Sequence, residues 1–488
     1  MASPRHLSIL LLSFLPWFKA AHTQAQPCDC VSHFEWVKET FETNDAGFAF
    51  ALERKGEDAY QRFNEEILQR VQATQDLETC VAILEEWLLF FRKGHIGIQQ
   101  LLPSPSEPKL SKSEIRAKFQ DWERLDTDLR KLKKELRARE KDGFEGIWRN
   151  GAYRIAIVKQ NEEYLGVILK AKGPYWTPGQ VKLRITPHGE GWSSVYYMQD
   201  HSENPSESVH LLDANHLLLG DIDLYRAKPK LPSDPAVLNY LKAREASKPY
   251  LTLLDQDTYY LRVPSFSLSY KKAIDRLMRK NKARIMERPN LILDLRNNGG
   301  GADGSYASIL PFLYTDPIKS IGVAMLSSPL NISALEDVSN NPKLDEETRN
   351  FLSDLIPKLE ANPGEFVSQE DDKVSYVEME EVYPQPRQVA ILINEGNASS
   401  AEEFLLAARQ SSKVQLYGCN TAGILDISNM NIVTSPGEEF VLAYSMSKSL
   451  RVPEQAIDDV GITPDVVIPE EIPDHQWVEF VRKRMQEQ

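Results

Sequence analysis

Three consecutive glycines follow an apolar segment near the middle of the chain. Leu291–Leu295 has the composition of a buried strand, and after Arg296 and two asparagines the chain continues as Gly299–Gly301. Glycines at a strand end allow backbone N–H groups to point outward, towards an anion or a developing oxyanion. A tight turn is the favoured interpretation for glycines alone. The segment is thus a candidate oxyanion-binding loop or an ordinary turn.

A serine pair follows a second apolar segment. Ile391–Ile393 leads into a turn of small residues that ends at Ser399 and Ser400, just before Glu402. A serine at a helix N-terminus has the macrodipole and free amides that favour an alkoxide, as a serine nucleophile requires. Ser399 could equally be an N-cap, with Glu402 completing a capping box. On this segment alone the capping interpretation is favoured.

Helical periodicity places a histidine in a loop. From residue 30 to about 91, apolar residues recur three and four positions apart, which predicts three amphipathic helices. Gly94 suits the end of the third helix, so His95 is expected just beyond it. Apolar spacing from Ser111 to Leu136 predicts a fourth helix.

The spacing of apolar residues changes along the chain, which predicts a multidomain α+β protein. Residues 26–142 form an N-terminal helical domain, and 143–228 alternate with a period of two, which indicates a small antiparallel barrel or sandwich. Residues 229–248 are a proline-containing linker with one short helix. Strands and helices alternate in 249–488, as in a layered α/β domain.

Composition and the N-terminus limit the possible functions. The 488 residues carry 57 Lys and Arg against 71 Asp and Glu, a formal net charge of -14, so nucleic acid is not an expected partner. The apolar segment Leu7–Phe18 is too short for a membrane span, which excludes an integral membrane protein. Small residues at Thr23 and Ala25 predict a cleaved signal peptide, residues 1–25, and hence an exported protein.

Four cysteines are too few for a disulfide scaffold in so long a chain. A bridge between Cys28 and Cys30 would be strained, so the favoured pairing joins one of them to Cys80. Cys419 stands apart. No Cys or His group has zinc-binding spacing, so no metal is expected.

Together the glycine and serine segments resemble the C-terminal processing, or tail-specific, serine proteases. This family's relatives include the tricorn core protease and interphotoreceptor retinoid-binding protein. The resemblance covers about 259–469 and includes five segments in the family's order: Tyr260–Phe266, Asp294–Gly301, Ala398–Glu402, Gly418–Gly423 and Gly461–Asp465.

The resemblance implies a crotonase/ClpP-like α/β catalytic domain at 249–488 and no organic cofactor. It implies that Ser399 is the nucleophile and that the main-chain amides of Gly300 and Ser400 form the oxyanion hole. Peptides or unfolded proteins would be the substrates. The family's peptide-binding PDZ module has no recognisable counterpart loop in 143–227, so recognition of a free C-terminus is not implied.

One departure from the family concerns the general base. The processing branch has a lysine where this chain has Ile424, so a Ser/Lys dyad is excluded at that place. The tricorn-like branch uses a histidine from the N-terminal helical domain, and Lys93–Ile96 resembles that segment with two substitutions. His95 is then the candidate base, with an ordinary pKa near 6.5 that suits proton abstraction.

The third member of such a set is an acid that orients the histidine. The tricorn-like branch has a glutamate at the position of Asp458, and Asp459 and Asp426 are alternatives. The resemblance therefore predicts an exported serine endopeptidase closer to the tricorn-like branch. A non-catalytic ligand- or peptide-binding protein on the same fold is the alternative, and the oligomeric state is not predicted.

Overall fold

A computed structural model describes residues 28–101, 110–138, 143–342, 346–368 and 372–487. The predicted signal peptide lies outside these residues. The chain divides into a larger unit, from the described parts of 1–105, 245–473 and 477–488, and a smaller unit, from those of 106–244 and 474–476. No helix in the described ranges is long and apolar enough to cross a bilayer.

The larger unit begins with helices and one short strand. They are α1 (Cys30–Asn44), α2 (Phe48–Lys55), α3 (Glu57–Gln72), α4 (Leu77–Leu89) and β1 (Gly97–Gln100). These are four helices where the sequence predicted three, because Gly56 both ends α2 and begins α3 with a φ of +88°. Their apolar faces share one core that includes Phe34, Phe41 and Trp87.

A disulfide joins the first and fourth helices. Cys30 is bonded to Cys80, 50 residues later in the chain. The predicted pairing of Cys80 with one of the two N-terminal cysteines is confirmed. Within the described ranges, Cys28 and Cys419 are not part of a disulfide. The bridge ties the beginning of α1 to the helix that precedes the His95 loop.

The smaller unit contains one antiparallel sheet. Its elements are α5 (Lys112–Lys118), α6 (Leu129–Ala138), β2 (Gly146–Asn150), β3 (Tyr153–Gln160), β4 (Glu163–Ala171), β5 (Val181–His188), β6 (Gly191–Tyr197), β7 (Glu203–Ser206), β8 (Val209–Asp213), β9 (His216–Leu219), β10 (Ile222–Lys228) and α7 (Pro235–Arg244). The strand order is β7-β6-β5-β4-β3-β2-β10-β9-β8. The described residues of this unit thus form nine antiparallel strands in one sheet, and β6 and β8, near opposite ends of the order, contact each other.

The predicted helix from Ser111 to Leu136 is broken into α5 and α6. Between them, the Phe119 ring stacks on His201 with centroids 3.9 Å apart. The indole Nε1 of Trp122 donates a hydrogen bond to the Val181 carbonyl oxygen at 2.9 Å. These contacts with the sheet replace the helical conformation that the apolar spacing favoured.

The remainder of the larger unit alternates strands and helices. It comprises β11 (Tyr250–Leu253), β12 (Thr258–Arg262), α8 (Leu268–Met286), β13 (Asn290–Asp294), β14 (Ile318–Ile321), β15 (Val323–Leu326), α9 (Pro329–Ser339), α10 (Glu346–Glu360), β16 (Phe366–Ser368), β17 (Val374–Val377), β18 (Gln388–Ile393), α11 (Ser400–Ala408), β19 (Val414–Gly418), β20 (Ile427–Thr434), β21 (Phe440–Ser449), β22 (Val466–Val467) and α12 (Trp477–Gln486).

A six-stranded sheet positions the candidate loops. Its order is β11-β12-β13-β18-β19-β22, and all neighbours except β11 and β12 are parallel. Every residue of β13 is buried, which explains its nearly continuous apolar composition. The carboxyl ends of parallel strands lie at one edge, so the loops after β13, β18 and β19 meet there.

A second sheet joins the N-terminal helices to this part of the chain. β1 pairs with β21, with Gly97 opposite Ala443. The predicted division into 26–142 and 249–488 therefore differs from the structure, which places the residues around His95 in the same unit as Ser399. Residues 110–138 and α7 belong to the smaller unit, so the linker predicted at 229–248 is also part of that unit up to Arg244.

Candidate active site

Ser399 lies at the turn between β18 and α11. It is the N-cap residue of α11, with φ +57° and ψ -130°, a conformation that non-glycine residues rarely adopt. Its main-chain N–H donates to the Ile424 carbonyl oxygen at 2.8 Å and to Glu402 Oε2 at 3.1 Å. Two acceptors on different segments therefore hold the strained turn.

Glu402 does more than complete a capping box. Its buried carboxylate also accepts hydrogen bonds from Thr421 Oγ1 at 2.5 Å and from the N–H groups of Gly423 and Ile424 at 2.8 and 2.9 Å. Burial raises the pKa of Glu402, and these donors oppose the rise. Glu402 therefore anchors the loop after β19 to the turn that carries Ser399.

Gly300 lies directly against the Ser399 turn. A Cβ atom placed on Gly300 would lie 2.9 Å from the Ser399 Cβ and 2.8 Å from the Ser400 nitrogen, and Gly300 has a φ of +90°. Only glycine fits there without displacement. The Gly300 N–H, however, donates to Asn298 Oδ1 at 3.0 Å. The predicted oxyanion donor is thus beside Ser399 but bonded within its own loop.

Asparagine side chains connect the loops after β13 and β18. Asn394 Oδ1 accepts the Asn297 N–H at 2.8 Å, and Asn394 Nδ2 donates to Asn297 Oδ1 at 3.0 Å. Asn397 Nδ2 donates to the carbonyl oxygens of Leu295 at 2.6 Å and Asn298 at 3.2 Å. Sequence reasoning missed these residues, although asparagines directly after two buried strands are a visible signal.

His95 lies in the half-buried loop between α4 and β1. Its Nδ1 is 2.7 Å from the Ile427 carbonyl oxygen. A carbonyl oxygen can only accept, so Nδ1 carries the proton and Nε2 keeps its lone pair. Burial lowers the pKa of His95, the bond to Ile427 opposes that effect, and the nearby Arg92 charge lowers the pKa further. The imidazole is therefore held in a neutral form that can accept a proton.

The segment 424–427 contacts both His95 and Ser399. The Ile424 carbonyl oxygen accepts from Ser399, and the Ile427 carbonyl oxygen from His95. A Cβ atom placed on Gly94 would lie 2.3 Å from Ile424 Cγ2, so this side chain packs against the residue before His95. The residue at the family's lysine position thus borders the histidine loop.

Asp458 is not bonded to His95, contrary to the direct contact that the resemblance predicted. Asp458 Oδ1 accepts the N–H groups of Leu425 and Asp426 at 2.6 and 2.7 Å, and Oδ2 accepts that of Ile427 at 3.3 Å. The acceptor for His95 is instead a main-chain carbonyl, which no side-chain pattern in the sequence could indicate. Asp458 acts on His95 only through the segment that it supports.

The two alternative acids also have other partners. Asp426 Oδ2 accepts the N–H groups of Ile457 and Asp458 at 2.6 and 2.9 Å, and the fully buried Asp426 faces Arg451 at 3.4 Å. Asp459 forms an ion pair with Arg54 at 3.0 Å. Burial and the neighbouring Asp426 charge raise the pKa of Asp458 to about 6. These carboxylates stabilise the loop.

No group of three or more His, Cys, Asp or Glu side chains in the described ranges could hold a metal ion. The chemistry that the arrangement can perform is proton transfer and nucleophilic attack. A serine lies on a strained turn, a glycine loop lies against it, and a neutral histidine is bonded to the segment that also holds the serine.

Solved structures with low identity cover most of the chain. Mature CPAF is 12% identical, with 93% of this chain and 96% of that chain covered and a TM-score of 0.49. A lipoprotein from Streptococcus agalactiae is 13% identical, with coverage of 96% and 99% and a TM-score of 0.38. The photosystem II D1 C-terminal processing protease is 14% identical, with coverage of 92% and 96% and a TM-score of 0.37.

No curated protein matches the chain significantly. The family model described as peptidase family S41 matches residues 257–468, which include β12, β13, β18 and the Ser399 turn. This similarity supports a serine-type peptidase.

Proposed function

We propose that the chain is an exported serine endopeptidase that cleaves peptides or unfolded proteins. The observation that carries the proposal is the 2.7 Å bond between His95 Nδ1 and the Ile427 carbonyl oxygen, which leaves Nε2 as the proton acceptor. This arrangement supports His95 as the base, as in the tricorn-like branch. The side chain of Ile424 has no group that could take a proton.

Catalysis begins with proton transfer. Nε2 of His95 takes the proton of the Ser399 hydroxyl as the oxygen attacks the peptide carbonyl carbon. The imidazolium keeps its Nδ1 bond to Ile427 and then gives the new proton to the leaving amine. Water, activated by the same histidine, hydrolyses the acyl-enzyme on Ser399.

The oxyanion of the tetrahedral intermediate needs preorganised donors. The main-chain N–H groups of Ser400 and Gly300 are assigned this role, since a Cβ on Gly300 would lie 2.8 Å from the Ser400 nitrogen. The Gly300 N–H must first leave Asn298 Oδ1, its 3.0 Å acceptor. Substrate binding would move the Gly300 N–H from Asn298 Oδ1 to the oxyanion.

Export is supported by two independent features. The first is the signal-like N-terminal segment, with small residues at positions 23 and 25. The second is the disulfide between Cys30 and Cys80, because such bonds persist in oxidising compartments.

The occupied Gly300 N–H favours one other candidate function, a non-catalytic protein that binds a ligand or peptide on the same fold. Its bond to Asn298 leaves the oxyanion hole incomplete in the present arrangement. In that case the serine turn would recognise a ligand without attacking it.

Covalent labelling distinguishes the two functions. A serine-directed diphenyl phosphonate should modify the protein once, and peptide mapping should find the adduct on Ser399. Labelling should slow strongly in His95→Ala. An unlabelled wild type that hydrolyses no unfolded protein substrate would contradict the peptidase proposal and favour the binding protein.

A further inference from the structure

A buried ion pair lies beside the loop that carries His95. Arg92 and Asp45 are 8% and 2% exposed. Arg92 Nη1 and Nη2 donate to the two Asp45 carboxylate oxygens at 2.7 and 2.6 Å. Asp45 directly follows α1, and Arg92 lies between α4 and His95. The pair therefore joins the end of one helix to the His95 loop.

The same guanidinium also holds the main chain of that loop. Arg92 Nε donates to the Gly94 carbonyl oxygen at 3.0 Å, and Nη2 donates to the His95 carbonyl oxygen at 2.8 Å. His95 has a φ of +52°, which costs energy for a residue with a side chain. The bonds from Arg92 oppose relaxation of this conformation.

Ser445 holds the His95 carbonyl from the strand β21. Its hydroxyl donates to the His95 carbonyl oxygen at 2.9 Å, and its N–H donates to Asp45 Oδ2 at 3.0 Å. Ser445 is completely buried. The His95 carbonyl oxygen thus accepts from Arg92 and from Ser445. Both of these residues are also bonded to Asp45.

We infer that Arg92, Asp45 and Ser445 are positioning residues for the general base. They fix the main chain of His95 so that its ring keeps the bond to the Ile427 carbonyl oxygen. This inference rests on the proposed function. A misplacement of about 1 Å in such a group costs about 100-fold in rate.

Two conservative variants test the inference. Arg92→Lys keeps a positive charge near Asp45 but lacks the five donors that serve two carboxylate oxygens and two carbonyls. Its kcat should fall about 10- to 100-fold with KM within about twofold of wild type. Ser445→Ala removes one of the two donors, so its kcat should fall about three- to tenfold.

Arg70→Lys is the matched control. Arg70 also forms a bidentate ion pair, with Glu86 at 2.8 and 2.6 Å. Unlike the Arg92 pair, it is exposed and is not bonded to the His95 loop. Its kcat should stay at the wild-type value. Thermal unfolding and the rate of phosphonate labelling of Ser399 are measured for each variant.

A kcat and a labelling rate that fall by more than the loss of folded protein would support the inference. A wild-type kcat in both test variants would overturn it, as would a loss of kcat that only equals the loss of folded protein. The proposed function is tested separately, because it fails if the wild type is neither labelled nor active, or if Ser399→Ala or His95→Ala remains active.

Discussion

The Ser399 turn and the His95 loop each contain a residue in an unfavourable backbone conformation, but different kinds of contact stabilise them. Each holds a non-glycine residue at positive φ, +57° and +52°. The Ser399 turn relies on Glu402, three residues later, and on the loop after the next strand. The His95 loop relies on Arg92 and on residues about 50 to 350 positions away, including Asp45 and Ser445.

This difference determines how easily each of the two segments can be recognised from the sequence. A strand, a small-residue turn and a helix give Ser399 a continuous local pattern. His95 has only Gly94 and the end of a helix to mark it, because its supports come from other elements. The turn at Ser399 can therefore be located from local pattern, whereas the contacts that hold His95 require the tertiary structure.

The largest expected effect separates the two serines of the turn. Ser399→Ala should lower kcat by about 10⁶-fold, because the nucleophile is removed. The free energy of unfolding should fall by no more than about 1 kcal/mol, since Glu402 binds the main-chain N–H of residue 399. Steady-state hydrolysis of an unfolded protein and urea unfolding measure the two effects.

Ser400→Ala is the control for the neighbouring position. Ser400 Oγ is buried and has no hydrogen-bond partner in the described part of the chain, and the variant keeps the main-chain N–H assigned to the oxyanion hole. Its kcat should stay within about tenfold of wild type. If the two variants exchange their effects, the nucleophile is Ser400.

The second prediction concerns the His95 loop. A neutral imidazole is the active form, so kcat/KM should rise with pH and then level off. Because burial lowers the pKa of His95, the ionisation should lie below 6.5. His95→Ala should lose up to about 10⁴-fold and with it this pH dependence. The exposed His188→Ala is the control and should keep the ionisation, and an ionisation that persists in His95→Ala would exclude His95 as the base.

Much of the larger unit follows from sequence pattern. The strand predicted at Leu291–Leu295 lies within one residue of β13, and the apolar segment Ile391–Ile393 is the end of β18. Buried parallel strands need nearly continuous apolar residues, and this signal is strong. The segment after the glycine loop has two short 3-10 turns, Asp303–Ser305 and Leu310–Phe312, the second of which contains a proline.

The parts that were not predictable depend on distant backbone groups. The acceptor for His95 is the carbonyl oxygen of Ile427, which every residue type carries. Asp458 was expected at the histidine but binds three main-chain N–H groups instead. Residue identity gives no information about such partners, so only a folded structure can place them.

The smallest expected effect concerns Asp458, which supports the segment that contacts both the Ser399 turn and the His95 loop. Asp458→Asn retains only one acceptor oxygen for three N–H groups, so the segment that holds His95 and Ser399 should loosen. We expect kcat to fall about tenfold and the free energy of unfolding to fall by about 1 to 3 kcal/mol at low pH. Asp459→Asn is the control, because its ion pair with Arg54 is at the surface and asparagine tolerates positive φ.

The pH dependence of this stability difference gives the sharper measurement. The pKa of Asp458 is raised from 3.8 to about 6, so the folded state holds its proton more tightly than the unfolded state. This contribution is present below about pH 4 and is lost as pH rises through about 6. Asparagine cannot ionise, so the stability advantage of wild type over Asp458→Asn should shrink between pH 4 and 7, by at most about 3 kcal/mol. Urea unfolding across this range that shows a constant difference would mean that the half-buried Asp458 carboxylate is not destabilised by burial and by Asp426.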